Sequence, residues 1–352
     1  MRIALAIAAG TLCACGKSAE RAPVGSASGS GSAGSAGSAG SAGSGTLRVV
    51  SRLPAGSVLI AGSRRIAIDA DGRWLETQAG ELQPVPATAA AITRLRGELG
   101  ELELHLGRDV IAIGGEEHHE QYLRLLASGT KAIAFDDAHV TQVVATDSHE
   151  VWSYQDKLRS RLAVVDADGR VTALPQLGLI GKPITGVSPV STKLCATPAI
   201  KDVASTPDSV VALIVECDPD APVRLLTYRW PGPAKMQALG SRRALGFEPV
   251  QLAVTRDVQA IAGVGAGEIH VLRIGSEAKR IPGTTLSALE VGADGAMWLL
   301  ASDKLWRDGI AVTAHDPAGT PLTPRALARD QQLGIVVLAS GRDTAWLLAE
   351  TR

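Results

Sequence analysis

Three groups of residues have the types and spacing that could support chemistry. The densest is Glu116–Glu120, which reads Glu-Glu-His-His-Glu and contains only side chains that can bind metal ions. It lacks the two histidines four positions apart that a helical zinc site uses, and adjacent side chains on a strand point to opposite faces. We therefore expect a solvated turn or helix start, with a metal site as the alternative.

The other two groups look like ligand loops but lack essential parts. Residues 69–72 and 166–169 both read Asp-Ala-Asp-Gly, as at the start of a calcium loop, but the third acidic position and the later glutamate are missing. Residues 263–267 read Gly-Val-Gly-Ala-Gly, but no helix pattern follows, as a dinucleotide site requires. All three segments are therefore interpreted as hairpin turns.

The residue types needed for nucleophilic catalysis are not arranged in a known pattern. A Gly-x-Ser-x-Gly motif does not occur in the region expected to fold, and the seven histidines are scattered along it. The six tryptophans are interpreted as packing residues, with a sugar- or peptide-binding face as the alternative. The sequence thus predicts no catalytic, metal-binding or cofactor-binding residue, and it favours a protein that is not an enzyme.

Short apolar runs indicate that the elements carrying these residues are strands. The runs are four to eight residues long, a length that suits strands. Helices are expected only at Ala87–Leu99 and Glu116–Leu126, too few to alternate with strands as in a parallel α/β sheet. The predicted strands include residues 57–61, 65–68, 110–113, 140–145, 162–165, 210–215, 269–274, 296–301, 334–339 and 344–349.

Turns and tryptophans suggest that these strands repeat. The pentapeptide Asp-Ala-Asp-Gly-Arg occurs at residues 69–73 and again at 166–170, and Asp294-Gly295 forms a third Asp-Gly turn. Trp74, Trp152 and Trp230 follow one another at intervals of 78 residues. That interval is close to two propeller blades of roughly 40–45 residues each.

One stretch has a sequence pattern similar to that of a propeller blade. Leu289–Gly309 contains an Asp-Gly-x-x-Trp strand and resembles a blade segment of the propellers of bacterial sensors and envelope proteins. The resemblance implies an all-β fold: a β-propeller of about seven four-stranded antiparallel blades. In such a ring we expect Leu47–Val50 to join the strands of the C-terminal blade. Two stacked β-sandwiches are the alternative.

The first fifteen residues have the pattern of an export signal. Arg2 is followed by the apolar run Ile3–Ala9, which is too short to span a bilayer as a helix. The sequence Leu12-Cys13-Ala14-Cys15 then resembles the lipobox of bacterial lipoproteins. The resemblance implies that residues 1–14 are a signal peptide and that Cys15 is lipidated with diacylglycerol and acyl chains such as palmitate. Because Gly16 is not aspartate, it favours the outer membrane of the cell envelope, with either side of that membrane open.

A low-complexity segment follows this cysteine. Gly25–Gly45 contains only glycine, serine and alanine, which cannot bury enough apolar surface to order the chain. We therefore predict a flexible, disordered tether at residues 15–45 and a propeller domain at residues 46–352.

Two cysteines remain in that domain. Cys195 and Cys217 form an even pair in a chain expected to be exported, which predicts a disulfide. A bridge over this separation stabilises the fold by about 3 kcal/mol in the chain-entropy model. Two buried free thiols are the alternative.

The composition limits the classes of partner that the protein is expected to bind. The formal net charge is −1, so the excess of Lys and Arg that nucleic-acid binding needs is lacking. We expect a monomer that contacts the lipid bilayer through Cys15 and binds a protein or an envelope polymer. The predicted function is a membrane-anchored propeller that acts as a non-catalytic binding or scaffold module. A metal-dependent propeller hydrolase or lactonase is the alternative.

Overall fold

Strands make up most of the described structure. The computed structural model describes residues 47–59, 65–68, 74–78, 81–115, 120–126, 129–135, 139–156, 159–174, 198–208, 210–217, 220–229, 235–330 and 332–351. The predicted signal peptide, the tether and Cys195 lie outside these residues.

The strands form seven antiparallel sheets, numbered here as blades in chain order. Strand β1 is Leu47–Pro54. Blade 1 contains β2 (Val58–Leu59), β3 (Arg65–Ile68), β4 (Trp74–Gln78) and β5 (Glu81–Val85), and helix α1 (Pro86–Leu99) follows it. Blade 2 contains β6 (Leu102–Leu106), β7 (Val110–Gly114), β8 (Gln121–Leu126) and β9 (Gly129–Ile133). Blade 3 contains β10 (His139–Ala145), β11 (Glu150–Asp156), β12 (Arg159–Val165) and β13 (Val171–Leu174).

The second half of the chain continues this order. Blade 4 contains β14 (Ala199–Ser205), β15 (Val210–Glu216), β16 (Val223–Arg229) and β17 (Lys235–Gly240), and the short helix α2 (Arg242–Leu245) follows it. Blade 5 contains β18 (Glu248–Val254), β19 (Gln259–Gly265), β20 (Glu268–Arg273) and β21 (Lys279–Pro282). Blade 6 contains β22 (Leu286–Val291), β23 (Met297–Ala301), β24 (Lys304–Arg307) and β25 (Ile310–Val312). Blade 7 contains β26 (Ala314–His315), β27 (Pro321–Asp330), β28 (Gly334–Ser340) and β29 (Thr344–Glu350).

The blades are arranged as a propeller. Strands β6, β10, β14, β18, β22 and β27 each contact the next along the chain, and β2 contacts β27, so these strands form the inner wall. The chain's first strand completes the last blade: β1 pairs with β29, from Leu47 opposite Glu350 to Pro54 opposite Thr344. The predicted closure through Leu47–Val50 is therefore confirmed, and it makes β1 the outermost strand of blade 7.

The hydrophobic core is divided among the spaces between neighbouring blades. One cluster joins blades 3 and 4 through residues such as Leu162 and Leu213. Another joins blades 6 and 7 through residues such as Trp298 and Ile335. Both faces of a sheet can therefore be buried, which explains why a central strand such as β15 is an almost unbroken apolar run.

Helix α1 confirms one of the two helix predictions, and it packs against blade 2. Its residues Ile92 and Leu95 are buried against Val110, Ala112 and Leu125 of blade 2. The second predicted helix, at Glu116–Leu126, is wrong over the described part, because residues 121–126 form β8. Apolar side chains pack there against blade 3 on one face and against α1 on the other, and this pattern is easily mistaken for a helical one in so short a run.

The predicted hairpins are confirmed, but their turns do not mark equivalent positions. Residues 69–73, which lie outside the described residues, fall between the second and third strands of blade 1, whereas the identical pentapeptide at 166–170 connects the third and fourth strands of blade 3. Trp74 lies on a third strand, Trp152 lies on a second strand, and Trp230 lies outside the described residues. The 78-residue interval is therefore not a blade repeat.

None of the helices in the described part of the chain is both long and apolar enough to cross a membrane.

Candidate functional site in the central cavity

The inner strands of five consecutive blades share one irregularity. Strands β10, β14, β18, β22 and β27 each have a bulge in their pairing with the next strand, so two residues lie opposite one. A bulge bends a strand and redirects the side chain that follows it. The residues directly after the five bulges are Gln142, Asp202, Gln251, Ala288 and Ala326.

A cavity of about 620 Å³ lies at this level of the propeller. It is bounded by the inner strands of blades 3 to 7 and by the turns that leave the ends of β10 and β14. Its wall consists of residues 142–147, 202–205, 207, 251–254, 288–290 and 329.

Asp202 ties one side of this wall together. Its carboxylate accepts hydrogen bonds from Gln142 Nε2 on β10, from its neighbour Val203 N at 3.0 Å and from Leu252 N on β18 at 2.5 Å. Gln142 in turn accepts from Val203 N at 3.1 Å. Burial raises the pKa of Asp202 to about 6, although these three donors favour its charged form. Asp202 thus joins three blades and has little capacity left for a ligand.

On the opposite side of the cavity, Glu290 and Arg329 have no hydrogen-bonding partner among the described residues, unlike Asp202. They lie on the neighbouring strands β22 and β27, both are half-buried, and both line the cavity. Neither forms a hydrogen bond or ion pair with another described residue. Burial raises the pKa of Glu290 to about 7; the charge of Arg329 opposes this rise and that of Asp202 adds to it. These are two charged side chains that the described protein leaves unsatisfied.

The turns at the mouth of the cavity repeat a local motif. The hydroxyl groups of Thr146, Thr206 and Thr255 each accept a hydrogen bond from a backbone N–H three or four residues further on, at 3.0–3.2 Å. Each threonine follows an inner strand and is followed by an aspartate within two residues. An apolar run ending in Thr-Asp or Thr-x-Asp is therefore the sequence signal that marks these inner strands, and it was missed.

The predicted metal-capable cluster is not part of this site. Residues 116–119 lie outside the described structure, and Glu120 accepts a hydrogen bond from the Tyr122 hydroxyl at 2.7 Å and contacts His139 Nδ1 at 2.9 Å. The described residues contain no group of three His, Cys, Asp or Glu side chains placed to hold a metal ion.

The two other kinds of motif form turns, as expected, at 166–169 and 266–267, and residues 69–72 lie outside the described residues. Asp166 accepts hydrogen bonds from Gly169 N at 3.0 Å and from Arg170 N at 2.9 Å, so it closes a hairpin. Gly263 and Gly265 belong to strand β19, and the tight turn after them consists of Ala266 and Gly267, both with positive φ. This conformation is that of a two-residue hairpin.

Cys217 is disulfide-bonded. Cys195, Cys13 and Cys15 lie outside the described residues. The pairing of Cys195 with Cys217 and the lipidation of Cys15 therefore stay predictions.

Sequence comparisons find no relative, and structural comparisons find other propeller-like proteins. No protein-family model and no curated protein matches the chain. Virginiamycin B lyase from Staphylococcus aureus is 13% identical, with a TM-score of 0.44, over 84% of this chain and 98% of that one. A protein from Lactobacillus plantarum is 15% identical, with a TM-score of 0.42, over 84% of this chain and 95% of that one.

A third similar structure is puromycin hydrolase. It is 13% identical, with a TM-score of 0.45, and the match covers 77% of this chain but 49% of that one. Two of these three proteins are enzymes by name. At such identities and TM-scores, the likeness has no bearing on the activity of this chain.

Proposed function

We propose that the propeller binds a small polar molecule in its central cavity. The observation that carries this proposal is the pair Glu290 and Arg329, two half-buried charges without a partner among the described residues. Withdrawing a charge from water without compensation is unfavourable, and a bound ligand can supply the missing partner. Unsatisfied polar groups converging on a concave pocket are the usual mark of a ligand site.

Arg329 indicates that the ligand carries an acidic group. A guanidinium stays charged at all physiological pH values and presents paired N–H donors that match carboxylate or phosphate oxygens. The amide of Gln251, on β18 of blade 5, also lines the cavity and has no hydrogen bond within the described structure. Together these groups favour a small anionic or partly anionic compound.

This proposal modifies both functions expected from the sequence. It keeps a binding module and assigns its binding site to the channel, where the alternative hydrolase or lactonase would also act. The metal requirement of that alternative receives no support from the donor set of the described residues.

Catalysis is a second candidate function, and one observation favours it. Glu290 lies beside an anion-binding arginine and has its pKa raised to about 7. A carboxyl group that titrates near neutral pH is suited to act as a general acid or base. If Glu290 acts this way on a bound ester or lactone, Glu290→Gln should abolish turnover while ligand binding remains.

Calorimetry on the purified full chain tests the binding proposal. We expect a panel of small acids, including 4-methylpentanoate, 3-phenylpropanoate and inorganic phosphate, to contain at least one compound that binds. Replacing Arg329 with Gln should weaken that binding by about tenfold or more, the effect of one lost charged hydrogen-bonding partner. Arg48→Gln, at an exposed position on β1, is the matched control and should bind normally. Equal binding by the Arg329 variant would refute the site.

We further propose that the protein is anchored to the outer membrane through lipidated Cys15. The support is the Leu12–Cys15 pattern followed by the glycine- and serine-rich segment, which would hold the propeller roughly 30 Å from the lipid. Cys15→Ala should release the protein into the soluble fraction and prevent labelling with palmitate. A variant that still fractionates with membranes and carries the label would contradict the anchor.

A further inference from the structure

We propose that the cavity recognises a zwitterion, a free amino acid or the like, with its carboxylate on Arg329 and its ammonium group on Glu290. The inference rests on the proposed binding function and adds the chemical class of the ligand. It follows from the sign and position of two side chains on adjoining strands that line one cavity.

The two charges are near each other but do not satisfy each other. They form no ion pair, yet the charge of Arg329 is close enough to lower the pKa of Glu290 against the larger effect of burial. A ligand with a single negative charge would satisfy Arg329 and exclude water from Glu290, which would then be buried without a partner. A ligand with both charges satisfies both side chains at once.

The remaining polar groups of the cavity fit this assignment. Asp202 and Gln142 are engaged with each other and with backbone N–H groups, so Asp202 does not compete for the ligand's ammonium group. Gln251 is free to donate to a carboxylate or to accept from an ammonium group. Asp147, exposed on the turn after β10, is a third acidic side chain of the wall, in addition to Glu290 and Asp202.

The space between the charges suits a compound of this size. The volume of about 620 Å³ falls within the usual range for small-molecule pockets, roughly 300–1,000 Å³. Small apolar residues, including Val144, Ala204, Ala253 and Ala288, make up much of the wall between the polar groups. They leave room for an apolar side chain on the ligand.

Matched analogues that lose one charge at a time provide the test. The probes are L-leucine with 4-methylpentanoate and L-leucinamide, and L-phenylalanine with 3-phenylpropanoate and L-phenylalaninamide. We expect at least one amino acid to bind the full chain about tenfold more tightly than both of its analogues. This comparison uses the wild-type protein and therefore does not depend on whether a variant folds.

Two variants assign the charges to residues. Glu290→Gln should reduce the affinity for the amino acid to that for the desamino acid, and Arg329→Gln should reduce it to that for the amide. Glu277→Gln and Arg48→Gln, both at exposed positions, should change neither ratio.

The outcomes distinguish the inference from the proposed function. If the acids bind Arg329 as tightly as the amino acids do and Glu290→Gln has no effect, the zwitterion is wrong while the anion site stands. If none of the probes or the acids of the earlier panel binds, the inference and the proposed function both fail. An amino acid that binds equally well to the Arg329 variant also overturns the assignment.

Discussion

Burial makes two acidic side chains of the central cavity harder to ionise than in the unfolded chain. Burial raises the pKa of Asp202 from an ordinary value of 3.8 to about 6 and that of Glu290 from 4.5 to about 7. Because both pKa values are higher in the folded state than in the unfolded chain, folding takes up protons between about pH 4 and pH 7. The free energy of unfolding, as far as it depends on these two groups, is therefore highest at the acidic end of this pH range and falls as the pH rises through it.

Glu290→Gln should stabilise the protein in a pH-dependent way. At about pH 8 the native carboxylate is charged and partly desolvated, so its replacement by a neutral amide should raise the free energy of unfolding by roughly 1–3 kcal/mol, the lower values applying if solvent in the cavity screens the charge. Near pH 4.5 the native side chain is already neutral, so the gain should nearly vanish. Thermal melting at the two pH values measures the difference. Glu277→Gln should show no such pH dependence, and an equal effect of Glu290→Gln at both pH values would contradict the prediction.

At the scale of elements, neighbouring blades are joined by buried charges as well as by apolar packing. The fully buried carboxylate of Glu150 in blade 3 accepts hydrogen bonds from Arg124 Nη2 of blade 2 at 2.8 Å, Trp152 Nε1 at 3.1 Å and Arg108 N at 2.8 Å. A Cβ atom at position 107 would lie 2.5 Å from this carboxylate, which explains the glycine there. The pair is a structural link between blades and lies outside the cavity.

Breaking this link from one side should be strongly destabilising. Glu150→Ala or Arg124→Met alone leaves the other charge buried without its partner and should lower the free energy of unfolding by about 3–5 kcal/mol. The double variant should lose much less than the sum of the two, and urea unfolding of all four proteins measures this coupling. The exposed pair Arg280 and Glu268, 3.9 Å apart, is the control and should contribute below about 1 kcal/mol. Additive losses at Glu150 and Arg124 would show that the link is not an energetic unit.

Two glycines in regular elements should respond oppositely to the same substitution. In strand β19, a Cβ atom on Gly263 would lie 1.8 Å from the carbonyl oxygen of Glu248, so Gly263→Ala must displace backbone and should be destabilising by about 1–3 kcal/mol or more. In helix α1, a Cβ atom on Gly97 would meet nothing within 4 Å, so Gly97→Ala should be stabilising by about 0.5–1 kcal/mol. Thermal melting distinguishes the two signs. A neutral Gly263→Ala would mean that β18 and β19 are not held so closely.

At the scale of the whole molecule, the ring depends on pairing between its two ends. Strand β1 belongs to the sheet of blade 7, and its partner β29 lies almost three hundred residues later in the chain. Contacts of such long sequence separation form only when the intervening blades are in place, so the ring should fold and unfold cooperatively.

Removing one end should therefore unfold more than one blade. Deletion of Thr344–Arg352 removes β29, which leaves β1 without a partner strand and β28 paired with β27 alone, so we expect loss of the cooperative melting transition. Deletion of residues 25–43 shortens the low-complexity segment without touching β1, and it should leave the melting temperature unchanged. Calorimetry of both variants makes the comparison. A cooperative transition retained after the first deletion would contradict closure as the source of stability.

The sequence alone determined most of the local structure. Strands such as Arg65–Ile68 and Thr344–Glu350 could be predicted because apolar runs and Asp-Gly turns depend on neighbours within a few residues. The number of blades was predicted only approximately, as about seven, and the role of Leu47–Val50 followed from the need to close a ring. The helix predicted over Glu116–Leu126 is wrong at residues 121–126, because β8 is buried on both faces and so lacks the alternation that identifies a strand.

The site was decided only by the tertiary structure. Glu290 lies in blade 6 and Arg329 in blade 7. In the sequence around each of them, nothing distinguishes the charged residue from an ordinary surface residue. Gln142, Asp202 and Gln251 likewise come from three different strands. They converge because the bulged inner strands of five blades face one channel, and this depends on packing between blades rather than on any local pattern. Sequence spacing could therefore predict the propeller, but not which of its many charges would be left facing a cavity without partners.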